Sequence, residues 1–314
     1  MKITVVVPTY LRPQDLIRCL GALKQQNKPV DELWVIVRDT DRETWQFLDT
    51  FDRGTLPLHT ATVTATGVIA AMNIGLESAT GDIVAFTDDD AAPHPDWLEK
   101  IESYYLADDQ VGGVGGRDWV YHGTRLEDGS QAVVGKLQWF GRLIGNHHIG
   151  IGEGREVDVL KGVNMSFRRK AIADLRFDQR MRGTGAQVNF EVVFSLTLRQ
   201  KGWKLIYDSQ IAVDHFPAQR FDEDQRNSFN AQASINAIHN ETVALLGYLP
   251  PLQTLVFTIW AIAIGTRDAR GLLQWLRFLP KEGKLSGQKL WACWLGRCQG
   301  LQTYRVTSAL RQTS

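Results

Sequence analysis

The sequence predicts an α/β fold: an open, mostly parallel sheet flanked by helices, followed by a C-terminal helical, amphipathic extension. Three observations carry this. Over the first ninety residues, unbroken β-branched runs alternate with segments whose apolar residues repeat at helical spacing. The chain has 314 residues, 44% of them hydrophobic, enough to bury a sizeable core. Its formal net charge is zero but unevenly placed: from Thr266 to Ser314 nine Lys/Arg stand against Asp268 and Glu282, a balance of +7, so residues 1–265 carry −7. Such a split marks an appended segment whose partner differs from that of the main domain.

Ile3 to Val7 reads as a strand covered on both faces. Pro13 suits a first helical position, and Leu16, Ile17, Leu20 and Leu23 repeat helically, which predicts a helix from Pro13 to Gln25. Leu33 to Val37 is a second strand, Arg42 to Phe51 a helix, Leu58 to Val63 a short extended stretch, and Ile69, Met72 and Leu76 mark the next helix. Gly81 ends that region before Ile83 to Phe86, a further buried strand. Trp97, Ile101 and Tyr104 mark a helix and Val111 to Val114 a strand. Gly112 to Gly116 reads as a turn-rich stretch where backbone can approach a ligand. Tyr121 to Arg155 is glycine-rich and weakly periodic, the pattern of loops or a small insertion. Order returns at Val157 to Leu160, in a helix over Phe190 to Gln200 ended by Gly202, and in short strands at Leu205 to Tyr207 and Ile211 to Val213.

Toward the C-terminus, Leu252 to Gly265 is mostly apolar but short of the roughly 20 residues a helix needs to cross a bilayer. With Trp260, Trp275, Trp291 and Trp294 and the basic residues around them, it predicts attachment to an anionic membrane surface rather than to nucleic acid. Leu290, Trp294, Cys298 and Leu301, at helical spacing, fit packing on the main domain equally well. Cys19, Cys293 and Cys298 lack metal-ligand or paired spacing, and the apolar run after Lys2 is too short for a signal peptide core. The expected location is therefore peripheral, on the cytoplasmic face of the cell membrane.

Asp88, Asp89 and Asp90 follow the strand Ile83 to Phe86 directly, at the end of the sheet where ligands bind. Adjacent carboxylates repel, so a site that keeps three of them supplies a cation, with Mg2+ or Mn2+ favoured by oxygen ligands. The bland alternative is a helix cap near Pro95 with the other carboxylates facing water.

Several segments, in order, resemble the family 2 glycosyltransferases: Val5-Val6-Val7-Pro8-Thr9-Tyr10 with Arg12-Pro13, Asn73-Ile74-Gly75-Leu76 with Ala79-Thr80-Gly81-Asp82, Phe86-Thr87-Asp88-Asp89-Asp90, and Pro95-Asp96-Trp97-Leu98. Gly162-Val163-Asn164-Met165-Ser166-Phe167-Arg168-Arg169 and the helix before Gly202-Trp203 extend the resemblance over roughly residues 3–220. It implies a GT-A type, Rossmann-like fold over residues 1–240, with a nucleotide-sugar-binding half (1–117) and an acceptor-binding half (118–240), and residues 241–314 as the membrane-associating extension. The resemblance also implies transfer of a sugar from a UDP- or GDP-sugar to a hydroxyl acceptor, lipid-linked or saccharide, by metal-assisted inverting displacement.

By position, Pro8, Thr9, Tyr10, Arg12, Asp39, Asn73, Asp88 and Asp89 would bind the donor, and Asp88, Asp90 and His215 the metal. Arg220 would meet the diphosphate, Gly162, Asn164 and Met165 would face the acceptor, and Glu191 would be the catalytic base. Two positions depart from the family pattern: Met72 stands where it often has arginine, and Phe190 where it has the first acid of a Glu-Asp pair. A nucleotidyltransferase making nucleotide sugars shares such a sheet and acidic site, but carries a glycine-rich loop after strand one, and Val7-Pro8-Thr9-Tyr10-Leu11-Arg12 has no glycine. A non-catalytic, membrane-bound scaffold is the other alternative, consistent with Met72 and Phe190.

Overall fold

The computed structural model describes residues 1–220, 223 and 228–312, with side chains as far as Val306. Met1–Lys136, Ile144–Phe177 and Phe194–Gln219 form one compact unit, and Leu137–Leu143, Asp178–Val193 and the chain from Arg220 onward form a second. The boundary expected between residues 240 and 241 falls inside a helix, Ala231–Tyr248.

The elements run β1 (Ile3–Thr9), α1 (Pro13–Lys24), β2 (Glu32–Arg38), α2 (Arg42–Thr50), β3 (Leu58–Val63), α3 (Val68–Ser78), β4 (Ile83–Phe86), β5 (Ala91–Pro93), α4 (Trp97–Ala107) and β6 (Val111–His122). After them come β7 (Arg125–Leu126), β8 (Lys136–Leu137), β9 (Leu143–Ile144), β10 (Arg155–Val157), β11 (Met165–Arg168), α5 (Arg169–Ile172), α6 (Phe190–Gln200) and β12 (Lys204–His215). Up to α4, each element predicted from periodicity is present. Of the expected face of α1, Leu16, Leu20 and Leu23 are buried with Ile3, Val5 and Val7 of β1, whereas Ile17 is exposed. Trp97 and Tyr105 of α4 close the same core.

The main sheet has the order β10-β12-β6-β11-β4-β1-β2-β3. β1 to β4 are parallel neighbours, β12 is parallel to β6, and β11 runs antiparallel between β4 and β6. The carboxyl ends of β1, β4, β6 and β12 therefore share one edge. From β1 the chain adds β2 and β3 on one side and then returns to place β4 on the other, the strand-order reversal at which a crevice opens in such sheets. Pairing of β1 with β4 stops at Val6 and Phe86, whereas β1 continues beside β2 through Pro8 and Ile36. Proline, which has no N–H, occupies a strand position where one neighbour has already ended.

Two expectations are corrected. Gly112 to Gly116 is the interior of β6 rather than a turn, and the two short strands near residues 205 and 213 are one strand, β12, irregular between Asp208 and Ala212. The glycines are there because the neighbours press in: a Cβ on Gly116 would lie 1.7 Å from the Ile211 carbonyl oxygen. Gly75 in α3 answers the same constraint, since a Cβ there would stand 2.2 Å from Cγ1 of Val6. The weakly periodic stretch from Tyr121 to Arg155 contains β7 to β10 and a single 3-10 turn, His147–Ile149. His147 is buried, its Nε2 donates to the Val159 carbonyl at 2.9 Å, and its own carbonyl accepts from the Tyr207 hydroxyl at 2.9 Å. Burial pushes its imidazole down to about 4.

In the second unit, α7 (Ala231–Tyr248), α8 (Pro251–Ala263), α9 (Leu272–Glu282) and α10 (Lys284–Gln312) follow one another. Pro251 opens α8 at a first-turn position, as the Pro250-Pro251 pair allows. α7 and α10 pack closely, with Arg297 bridging Glu241 at 2.6 Å. Among the described residues no helix is long and apolar enough to cross a membrane.

Gly116→Ala should destabilise the first unit by more than about 3 kcal/mol, because a methyl group cannot share space with a backbone carbonyl; urea unfolding measures it, and a change below about 1 kcal/mol would show that β6 and β12 separate easily. As pH falls, the unfolded His147 takes up a proton near its ordinary 6.5 while the folded one waits until about 4. This contribution is thus absent above about pH 6.5 and erodes stability downward to about 4, by about 3 kcal/mol in all. His147→Gln should flatten that part of the pH–stability curve, and identical slopes for both proteins would reject the assignment.

Candidate active site

At the edge shared by β1, β4, β6 and β12, the acidic turn after β4 meets residues from three other segments. Asp89 is buried; its carboxylate accepts from Thr9 Oγ1 at 2.8 Å and from Arg12 Nη1 at 3.1 Å. Asp90, equally buried, accepts the Ala218 N–H at 2.9 Å, and its own carbonyl accepts the Phe216 N–H at 2.9 Å. Arg12 also donates to the Gln219 carbonyl at 2.9 Å, so one guanidinium joins the acidic turn to the segment after β12. The cap reading fails: α4 starts at Trp97 behind Asp96, which makes no side-chain capping bond. Burial and the neighbouring carboxylates push Asp89 up. Burial opposes ionisation of Asp90 too, but His215, the Ala218 N–H and Arg12 outweigh it and hold Asp90 at about 2.

One ligand atom from each of Asp88, Asp90 and His215 lies within 4.8 Å of the other two. Asp90 Oδ1 and both ring nitrogens of His215 are buried without a hydrogen bond, and Oδ1 stands 3.4 Å from Nε2. Buried polar atoms left unpaired are costly. Two carboxylates and an imidazole converging there fit a divalent cation that accepts oxygen and nitrogen ligands, such as Mn2+ or Mg2+.

Tyr10 and Asp39 lie at the ends of β1 and β2, both exposed, with the Arg38 guanidinium 5.5 Å over the Tyr10 ring and Arg38 Nε 3.9 Å from Asp39. Pro8 sits half-buried beside them in β1. Asn73 is tied to the backbone at Phe177: its amide donates to the Phe177 carbonyl at 3.0 Å and accepts the Phe177 N–H at 2.8 Å, which fastens α3 to that segment. Asn164, also buried, accepts from Trp97 Nε1 at 2.9 Å and donates to the Arg117 and Ile211 carbonyls at 3.3 and 2.8 Å. Gly162 lies in the turn closed by the Asn164 N–H on the Lys161 carbonyl, and Met165, fully buried, pairs Phe86 with Gly115 across β11. Glu191, in the first turn of α6, and Arg220 belong to the second unit.

Sequence reasoning missed three residues. Asp41 caps α2 through the Thr44 N–H and also accepts the N–H of Leu11 at 2.5 Å, holding a non-glycine residue at φ +56 in the loop that carries Arg12. Asp118, 1% exposed near the end of β6, accepts from Lys161 Nζ at 2.6 Å and stands 3.9 Å from Nδ1 of His215. In the second unit the buried Asn240 side chain accepts the Arg182 N–H at 2.7 Å and donates to the Arg182 and Val188 carbonyls, each at 2.9 Å. It thereby pins the segment leading to Glu191, where Gly183, Gln187 and Asn189 all have positive φ. The readable signal for Asp118 is the β-favouring run Trp119-Val120-Tyr121 that follows it; for Asn240 there is none.

The profile of the Glycosyl transferase family 2 matches residues 4–176. A glucosyl-dolichyl phosphate glucuronosyltransferase of Haloferax volcanii is 29% identical over 226 residues, spanning 68% of this chain and 69% of that protein. Among solved structures, TarS of S. aureus in complex with UDP-GlcNAc aligns with a TM-score of 0.57 at 16% identity, over 100% of this chain and 93% of that one. The mannosyltransferase PcManGT of Pyrobaculum calidifontis, in complex with GDP-Man and Mn2+, aligns with a TM-score of 0.54 at 18% identity, over 97% and 86%. At such identities these structures establish the GT-A fold. The family profile covers more than half of the chain, and the chain belongs to glycosyl transferase family 2.

Proposed function

We propose that this glycosyltransferase moves a sugar from a UDP- or GDP-sugar to a hydroxyl of a lipid-linked or saccharide acceptor, with inversion and with a divalent metal at Asp88, Asp90 and His215. The observation that carries the reading is the convergence of those three side chains at the β1–β4 crevice, where Asp90 Oδ1 and both ring nitrogens of His215 are buried without a hydrogen bond. The nucleotide sugars bound by TarS and PcManGT support the donor class, and the dolichyl phosphate in the relative's name supports a lipid-linked acceptor.

When bound, Mn2+ or Mg2+ supplies positive charge against the negative charge that grows on the leaving diphosphate. The chain's residues do the rest. Tyr10 and Asp39 flank the nucleoside, with the ring offering a stacking face and the carboxylate a hydrogen-bond acceptor. Arg12, fixed by Asp89, keeps the acidic turn in place before any ligand arrives, so no reorganisation is needed during reaction. Arg220 meets the diphosphate. Glu191 takes the acceptor hydroxyl proton as that oxygen bonds to the anomeric carbon; the bond from carbon to the diphosphate oxygen breaks, and its electron pair leaves with the nucleotide. Attack from the face opposite the leaving group inverts the anomeric centre.

Asp90→Asn keeps an acceptor for the Ala218 N–H but removes a charge from the cation site. Transfer should be abolished, and Mn2+ should no longer tighten nucleoside diphosphate binding in calorimetry; a variant that still binds in a Mn2+-dependent way would remove Asp90 from the site. Glu191→Gln cannot take a proton at neutral pH, so turnover should fall by about two to four orders of magnitude while donor binding survives. An unchanged rate of nucleoside diphosphate release would assign the proton to another group. Asn240→Ala leaves two carbonyls and an N–H of the preceding loop unpaired, and should cost about 1–3 kcal/mol of stability with a loss in kcat and little change in donor affinity. A normal kcat in a destabilised variant would limit Asn240 to folding.

A further inference from the structure

In the second unit, α8 and α9 expose an apolar face that the chain leaves uncovered among the described residues. On α8 the exposed side chains are Leu252, Leu255, Ile259 and Ile262, one helical stripe, and the opposite face buries Phe257 and Ala261. On α9 Leu273, Leu276 and Leu279 form a second stripe, and no side chain of that helix is fully buried. Leu252 is 71% exposed, Ile259 58% and Leu276 54%, whereas a monomer ordinarily leaves only scattered single residues so open.

The connection between the helices is rigid. Arg270 is buried and donates to Glu282 at 2.8 Å and to Ser286 at 2.9 Å, while the Thr266 N–H bonds the Ala269 carbonyl. The turn that leads into α9 is thus ordered before any partner arrives. Around them Arg267, Arg277, Lys281 and Lys284 are exposed, against one exposed acid, Asp268. A second copy related by a twofold axis would set this cationic rim against itself. A negatively charged lipid surface accepts both features, the Leu/Ile stripes at the acyl boundary and the cations among headgroups.

The rings play a smaller part than composition indicates. Trp260 is half-buried, 5.3 Å from the Phe140 ring, and Trp275 and Trp294 are half-buried too; Trp291, 66% exposed, is the ring that faces outward. We propose that the α8–α9 face is a preformed docking surface for an anionic lipid membrane, lying in the interface without crossing it. It requires neither donor nor acceptor and stands independently of the catalytic reading.

The test is co-sedimentation of the full chain with vesicles of phosphatidylcholine alone or mixed with phosphatidylglycerol. Binding should require phosphatidylglycerol and weaken as salt rises. Lys281→Glu with Lys284→Glu should reduce partitioning by roughly tenfold or more, and Ile259→Asp with Leu276→Asp should eliminate it while the urea unfolding midpoint in vesicle-free buffer is unchanged, which shows the variant folded. No binding to phosphatidylglycerol vesicles at low salt, or binding indifferent to both variants, overturns the proposal. So does a dimer in light scattering that Ile259→Asp with Leu276→Asp converts to monomer, which would make a second copy the occupant.

Discussion

The site depends on a problem of like charge. Three consecutive carboxylates follow β4, and the fold buries two of them, where mutual repulsion is least screened. Nothing local answers that repulsion. The answer is brought by other strands: Arg12 and Thr9 from β1 and its loop, His215 from the end of β12, and the Ala218 N–H beyond it. Each partner is in reach because β1, β4, β6 and β12 end on one edge, which in turn requires β11 to run against its neighbours. The sheet order and the chemistry of the site are thus one constraint seen at two scales. The division of labour within the turn follows from it: Asp89 is paired with the protein's own cation, Arg12, while the buried Asp90 keeps Oδ1 without a hydrogen bond.

Much of this was legible in the sequence, and what was legible shares a cause. Ile3 to Val7, the Leu16–Leu20–Leu23 face and Ile83 to Phe86 announce themselves because burial imposes a period on neighbouring residues. The acidic triplet could be placed at a strand end because the strand preceding it is short and fully apolar. Gly112 to Gly116 misled for an equally physical reason. Glycine marks both turns and places where backbone presses on backbone, and only the location of Ile211, almost a hundred residues on, distinguishes the two. Reading that stretch as a turn ended β6 early and hid Asp118.

Asn73 and Asn164 show the converse. Their positions match the family pattern, and their amides also hold the backbone at Phe177 and the Trp97 ring with the Arg117 and Ile211 carbonyls. A motif position can be kept for what it joins as well as for what it binds. Asn240 does the same work in the second unit, holding the loop ahead of Glu191 from a helix that runs across the boundary expected between residues 240 and 241.

The position of β6 in the sheet has a consequence for how the chain is made. β1 to β4 pair among themselves within the first ninety residues and can assemble as soon as they emerge from the ribosome. β6 cannot: both its main partners, β11 and β12, are encoded later, with the stretch containing Arg125 to Val157 in between. During synthesis it is a twelve-residue strand with two open edges and six residues, Val111 to Gly116, without a single charge. Such an edge invites pairing with a second nascent chain. The interval before Met165 and Lys204 arrive is therefore when this protein is most exposed to aggregation, and slower translation through that stretch would lengthen it.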